Sequence, residues 1–291
     1  MRLGIVTTTY NRKKLLKRLY KSLEEQIDQT FIWIVIDDGS TDETSSYINN
    51  LSSSFAIRYI YKKNEGKAKA LNYAFTHNDD IDLFIIVDSD DYLLSTAVSI
   101  IRESALKYAS DTVGALFFKY QYESGEILGD KSNTYHKPVI LSRIEHDAQF
   151  DKIDGCICYF NKSVQKYRYP EFKNENYVGP TVIQMEMDRE YKIAFLTDVI
   201  GVAEYQESGL TNAGRKLRLQ NPKSMLVYCY YMQDKRFNMI TRIKYGIMSN
   251  AYFHLIDDNE TITGKLNLKI PKYFSVFGKA LAFYWKTKSE L

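Results

Sequence analysis

The first hundred residues alternate four times between a short apolar run and a stretch of helical periodicity, and few folds accommodate that rhythm. "LGIVTT", "FIWIVID", "AIRYIYK" and "DLFIIVD" are brief and rich in β-branched and aromatic residues, as buried strands are. Between them, "NRKKLLKRLYKSLEEQ" places Leu15, Leu16, Leu19 and Leu23 on one helical face. "STDETSSYINNL" carries Ser40 and Glu43 at capping-box spacing, which predicts a helix starting there; "GKAKALNYAFTH" and "STAVSIIRESALKYA" read as two more helices. Strand then helix, repeated, predicts an α/β fold with a doubly wound, mostly parallel sheet flanked by helices. Such sheets take ligands beyond the carboxyl ends of their strands. Polar residues collect there: Thr7, Thr8, Thr9 and Tyr10 after the first strand, Asp37, Asp38 and Gly39 after the second, Asn64 and Gly66 after the third, Asp88, Ser89 and Asp90 after the fourth.

The fourth of these ends is the most unusual. In "FIIVDSDDYL" the apolar run meets Asp88, Asp90 and Asp91. One Asp after a strand signifies a turn, in which its side chain bonds nearby amides. Three so close repel one another unless a cation or hydrogen-bond donors offset them, so a structural turn and a divalent metal site both stand as readings of these residues.

A chain of 291 residues with 45% apolar and 26% charged residues can bury a large core, as one large domain or a domain with an appendage. Cys156, Cys158 and Cys229 show no metal-ligand spacing and read as reduced core residues, the first two on one face of a strand. The opening "MRLGIVTTTYNR" lacks a long apolar segment, which points to a cytoplasmic protein. Residues 215–291 hold 14 Lys or Arg against 5 Asp or Glu, whereas the preceding residues are net acidic. A basic, aromatic end suits an anionic membrane surface or nucleic acid. No nucleic-acid recognition motif accompanies it, so no nucleic-acid partner is expected, and the absence of G-x-G-x-x-G argues against a nicotinamide enzyme. Beyond residue 110, "TVGALFFKYQY" and "KIDGCICYFNK" read as strands, "EMDREYKIAFL" as a helix leading into a strand, and "MLVYCYYMQDKRFNMITRIKYGIMSNAYFHLI" as helical.

Four runs, "VTTTYNR", "VIDDGSTDET", "NEGKAKALN" and "VDSDD", occur in order between residues 3 and 91, the third fitting N-x-G-x-x-x-A-x-N through Asn64, Gly66, Ala70 and Asn72. In them the chain resembles the family 2, GT-A-fold nucleotide-sugar glycosyltransferases of the bacterial surface and capsular polysaccharide type. The resemblance implies a GT-A catalytic domain over residues 1–214, with a nucleotide-binding half (1–110) and an acceptor-side half (111–214), followed by a helical C-terminal region, 215–291. It implies inverting, metal-dependent transfer from a UDP-sugar or another nucleotide-diphosphate sugar to a glycan or polyprenyl-linked saccharide acceptor. Mn²⁺ or Mg²⁺ would sit at Asp90 with Asp88 beside it, bridging a diphosphate whose leaving charge it offsets. Thr7, Thr9, Tyr10 and Asp38 would surround the uracil or ribose, with Asp88 close to the ribose and Ser89 also binding the nucleotide. Gly66 would open a helix suited to an anion, and Lys69 or Lys67 would touch phosphate, although two lysines on a solvated face explain that run as well.

The resemblance also implies an acidic pair ahead of the helix that leads to Tyr191-Lys192-Ile193, but Gly179-Pro180-Thr181 stands there. Glu175, in the loop "YPEFKNENYVGPT", is then the candidate base, with Asp154 as the alternative; Glu171 reads as surface loop, and Glu186 and Asp188 as a solvated helix face. "AEYQESGLTNAGRKLRLQNP" is similar to the downstream part of such enzymes, where Arg215, Lys216 and Arg218 would close over the phosphates or face lipid headgroups. In "IPKYFSVFGKALAFYWKTK", Phe274, Phe277, Leu281 and Tyr284 fall near one helical face, suiting peripheral contact with the inner face of the cell membrane or packing on the main domain. Because the acidic pair is missing, a non-catalytic sugar-nucleotide-binding subunit remains the alternative. A nucleotidyltransferase is disfavoured, since "TTTYNRKK" holds no glycine.

Overall fold

The computed structural model describes residues 1–129, 133–204, 210–256 and 271–288. Its first part follows the alternation read from the sequence: β1 (Leu3–Thr9), α1 (Lys13–Glu24), β2 (Phe31–Asp37), α2 (Thr44–Asn49), β3 (Ala56–Tyr61), α3 (Lys67–Thr76), β4 (Leu83–Ile86), then a two-residue β5 (Tyr92–Leu93) and α4 (Ala97–Tyr108). The first four strands lie in the order β3-β2-β1-β4, all parallel. The sheet continues through β6 (Val113–Gln121), β7 (Val139–Leu141), β8 (Gly155–Phe160) and β9 (Lys192–Val202). β8 enters antiparallel between β4 and β6, and β6 runs parallel to β9, so β8 alone is reversed along β3-β2-β1-β4-β8-β6-β9. This reversal brings the start of β8 to the edge where β1, β2, β4 and β6 end.

The sheet is buried on both faces because apolar helix faces cover each. Leu16, Leu19 and Leu23 of α1 are fully buried, at about 2 kcal/mol of transfer free energy apiece, and pack with α4 against one face. Ala70, Leu71, Ala74 and Phe75 of α3, with α6 (Asn161–Lys166) and α7 (Val182–Glu186), cover the other. Cys156 and Cys158 are buried, free thiols with sulfurs 4.0 Å apart.

The Ser40–Glu43 signal misleads. Ser40 spends its hydroxyl on the Asn11 amide, and α2 starts only at Thr44, whose amide binds Asp42 instead. A true capping box forms at Ser142 and Glu145, heading α5 (Arg143–Gln149).

Among the described residues four further α-helices follow the sheet: α8 (Leu210–Leu219), kinked at Gly214, α9 (Pro222–Tyr231), α10 (Met239–Phe253) and α11 (Ser275–Lys288). The stretch read as one helical run breaks between α9 and α10, where Asn238 caps the second helix. α10 and α11 approach closely: a methyl group at Gly278 would meet Asn250 Cβ at 2.3 Å. The aromatic stripe expected on α11 is split by this packing. Gly278, Ala282 and Trp285 are buried, whereas Phe277 and Tyr284 stand 63% and 49% exposed with Val276 and Phe283. No described helix is long and apolar enough to cross a membrane.

Candidate active site

At the carboxyl edge of the parallel strands, short side-chain bonds join four loops. Asn11, after β1, adopts φ 53° and accepts from the amides of Thr41 and Asp42 beyond β2. Asp37 accepts from the Ser40 amide and the Tyr59 hydroxyl, a turn role. Asp38 accepts from Lys62 Nζ and from the amides of Glu65 and Gly66 at 3.0 and 2.7 Å, fixing the start of α3. Gly66 must be glycine: its φ is 97°, and a Cβ would lie 1.8 Å from the Asn176 carbonyl oxygen. Thr7 is core-facing, its hydroxyl accepting from Trp33 Nε1. Thr9 is buried, its hydroxyl without a partner among the described residues, and Tyr10 beside it is 48% exposed.

After β4 the carboxylates meet the chain's own cations. Lys67 Nζ lies 2.5 Å from both oxygens of Asp88. Arg12 Nη1 lies 2.9 Å from Asp90 and also donates to Ser89 Oγ; Arg18 donates to the Asp90 carbonyl. Burial works against the Lys67 ammonium, but Asp88, Asp91 and Asp90 overcome it and raise its pKa. Asp91 has its carboxyl pushed up to about 8, first by burial, then by Asp88 and Asp90. Three carboxylates thus face three cations of the chain, Lys67, Arg12 and Arg18, and a divalent cation would take the place of Lys67 and Arg12 at the oxygens of Asp88 and Asp90. Among the described residues no three His, Cys, Asp or Glu side chains meet as a metal-holding group, so a cation here would take its other ligands from substrate and water. An all-oxygen donor set suits Mg²⁺ or Mn²⁺.

Of the two lysines considered for phosphate, Lys69 turns to Glu65 at 3.7 Å and Lys67 enters the carboxylate cluster. Arg12 and Arg18 escaped the sequence reading; their signal was the basic run directly after the β1 motif. Tyr120, buried near the end of β6, also escaped it: burial, Cys156, Asp91 and Asp88 together hold its proton well above the ordinary tyrosine range.

Beyond residue 110 the carboxylates are used differently. Glu175 is buried and accepts from the amides of Lys223 and Ser224 and from the Ser224 hydroxyl at 2.7–2.9 Å, which makes it the cap of α9. Burial raises its pKa while Ser224 and Lys223 pull it back. Asp154 is exposed immediately before β8, on the edge that carries Asp88. Glu171 accepts from Asn72, which also binds the Tyr169 backbone in both directions. Arg215, Lys216 and Arg218 are exposed on α8, two of them close enough to influence Tyr252 on α10; Tyr205 to Gly209, ahead of them, lie outside the described residues.

Solved structures share this architecture. Staphylococcus aureus TarS 1–349 in complex with UDP-GlcNAc superposes with a TM-score of 0.64 at 17% identity, over 96% of this chain and 79% of that one. Mannosyltransferase PcManGT from Pyrobaculum calidifontis, in complex with GDP-Man and Mn²⁺, gives 0.57 at 16%, over 97% and 80%. The fold is therefore the GT-A fold. In sequence, a Campylobacter jejuni GalNAc(5)-diNAcBac-PP-undecaprenol beta-1,3-glucosyltransferase is 26% identical over 55% of this chain and 49% of its own length. A Staphylococcus epidermidis teichoic acid poly(glycerol phosphate) polymerase is 30% identical over 35% of this chain and 14% of its own. The chain thus spans half or less of these relatives. Residues 4–168, from β1 through the start of the strap after α6, match glycosyl transferase family 2, and the chain belongs to that family.

Proposed function

We propose that the chain transfers a sugar, with inversion, from a nucleoside-diphosphate donor, UDP-linked in the first instance, to a hydroxyl of a glycan or lipid-linked saccharide during assembly of a cell-surface polysaccharide. The observation that carries this reading is the meeting of Asp88 and Asp90 with Lys67 and Arg12 at the joined ends of β1, β2 and β4. Asp88 and Asp90 would hold Mg²⁺ or Mn²⁺, which when bound offsets charge on the leaving diphosphate. Lys67, released from Asp88, is placed to take a diphosphate oxygen beside the first amides of α3. Tyr10 offers an exposed ring for the nucleoside, next to the buried, unspent hydroxyl of Thr9. For the acceptor proton, Asp154 is better placed than Glu175, whose two oxygens are committed to α9. The same commitment favours a second reading, a donor-binding subunit without turnover; hydrolysis of a UDP-sugar by the purified chain would eliminate it.

The outer face of α11 supports acceptor presentation at an anionic membrane. Val276, Phe277 and Phe283 are 77%, 63% and 71% exposed, and Lys272, Lys279 and Lys286 are exposed around them. Co-sedimentation with phosphatidylglycerol vesicles but not phosphatidylcholine ones, lost on Phe277→Ser with Phe283→Ser, is the expected result.

The direct test is calorimetric titration of UDP, GDP and CDP with and without Mn²⁺. UDP binding that requires the metal supports the reading; indifference to both nucleotide and metal sinks it.

A further inference from the structure

A cavity of about 380 Å³ lies away from the carboxylate cluster, between the strap after α6, the end of α7 and the C-terminal half of α9. It sits in the seam between the sheet and the C-terminal helices, where ligand sites are commonly found. Its chemistry is uneven for a structural seam. Arg168 donates only to the Tyr167 carbonyl and Gln165 and has no carboxylate partner. Arg189 and Glu186 form no ion pair at contact distance among the described residues, although Arg189 is near enough to oppose the burial that raises the Glu186 carboxyl. Their sequence neighbours behave otherwise: Asp188 is clamped by Arg236 at 2.8 Å and Glu190 by Lys166 at 2.5 Å. Pairing was available in this segment: Lys166, which also lines the cavity, is taken up by Glu190, whereas Arg168, Arg189 and Glu186 on the same lining are not held by such an ion pair.

The aromatic lining completes the pattern. Tyr230 and Tyr231 meet edge to face at 5.5 Å, so their rings present surfaces in two directions. A bare phosphate would use the guanidinium groups and leave the rings idle, and a neutral sugar would do the reverse. The strap is rigid, because Asn72 binds the Tyr169 backbone on both sides, and the Tyr169 hydroxyl donates to the Pro180 carbonyl. That bond ties the cavity to the Gly179-Pro180-Thr181 turn, where the resemblance implied an acidic pair.

We propose that this cavity is a subsite for an anionic sugar unit of the acceptor, bearing phosphate or carboxylate, with Arg168 and Arg189 on the charged group, Glu186 accepting from ring hydroxyls and Tyr230 or Tyr231 under the ring. The role as acceptor subsite rests on the transferase reading; binding itself does not. The test titrates the full chain with glucose 6-phosphate, glucuronic acid, glucose and inorganic phosphate, alone and with UDP and Mn²⁺ present. One of the two anionic sugars is expected to bind at least about tenfold more tightly than glucose or phosphate, and which one identifies the charged group. Arg168→Ala with Arg189→Ala should remove that preference, Glu186→Gln should weaken the sugar but not phosphate, and UDP affinity should hold in all variants. Equal binding of phosphate and sugar phosphate, indifference to the substitutions, or displacement by UDP would overturn the proposal. Failure of UDP to bind with anionic-sugar binding intact would remove the transferase reading and leave the subsite standing.

Discussion

The edge proposed for the donor and the side proposed for the acceptor grow from one sheet, yet they hold their carboxylates in opposite ways. At the donor edge, Asp88 and Asp90 face Lys67 and Arg12, long side chains that can swing to another anion at the cost of rotamer entropy. On the acceptor side, Glu175 is held by backbone amides of α9, and Asp147 is fully buried against Arg143 and His146. A carboxylate paired with a flexible cation remains exchangeable. One that caps a helix cannot leave without exposing that helix's first turn.

The largest expected break in the comparison comes from Asp90→Ala. If Asp90 serves the leaving group, transfer should fall by about 10²–10³-fold, as for loss of one preorganised electrostatic group, and metal-dependent UDP binding should vanish from calorimetry with the melting temperature little changed. Retained metal-dependent binding would return the cluster to a structural turn.

Next come the two acceptor-side acids. Asp154→Asn should lower the transfer rate by about 10²-fold at unchanged stability, the expected loss for a general base. Glu175→Ala should leave two buried amides and a hydroxyl without their acceptor and cost about 1–3 kcal/mol in denaturant unfolding. Glu175→Gln, which keeps the shape, should retain most activity. A Glu175→Gln variant that is stable but inactive would reverse the assignment.

Lys67→Met probes exchange directly. Without the ammonium, Asp88 loses its counter-ion, so Mn²⁺ alone should bind about tenfold more tightly while UDP gains less from the metal. Weaker binding of both would mean that Lys67 only braces the loop.

The gathering of polar strand ends at one edge was legible because its signals are local. Strand periodicity, the Asp-Asp-Gly turn and Asp88 to Asp91 each fall within a few residues, and parallel topology carries strand ends to one edge without any need to know the packing. What escaped depends on distance along the chain. Arg12 reaches Asp90 across 78 positions only because β1 and β4 are neighbours, and Glu175 finds α9 nearly 50 residues on. Ser40 and Glu43 had the spacing of a cap, but Asn11 competed for the serine, a contact with |i−j| of 29 that no window reveals. On α11, composition identified an aromatic helix, and the close approach at Gly278 decided which rings face out.

The smallest effect concerns how the acceptor side is held together. His146 is fully buried, stacked on Phe195 with centroids 4.0 Å apart, with Tyr135 at its edge and Arg143 and Asp147 on its own helix. Burial lowers its pKa from 6.5; Asp147 opposes this, and Arg143 adds to it. A histidine whose folded value is depressed is neutral in both states at higher pH. As pH falls through about 6.5, the unfolded chain takes up the proton first, so stability declines, by at most about 1.4 kcal/mol per pH unit from this group. Asp147, also depressed, contributes stability that is lost only further down, below the ordinary carboxylate value of 3.8. Asp91, whose raised carboxyl works in the opposite direction over the same range, is common to both proteins, so denaturant unfolding at about pH 7.5 and 5.5 is read as a difference: wild type should lose stability relative to His146→Gln, which keeps a polar partner for Asp147 but does not titrate. If wild type and variant lose stability in parallel over that interval, the buried histidine is not what makes the acceptor side sensitive to acid.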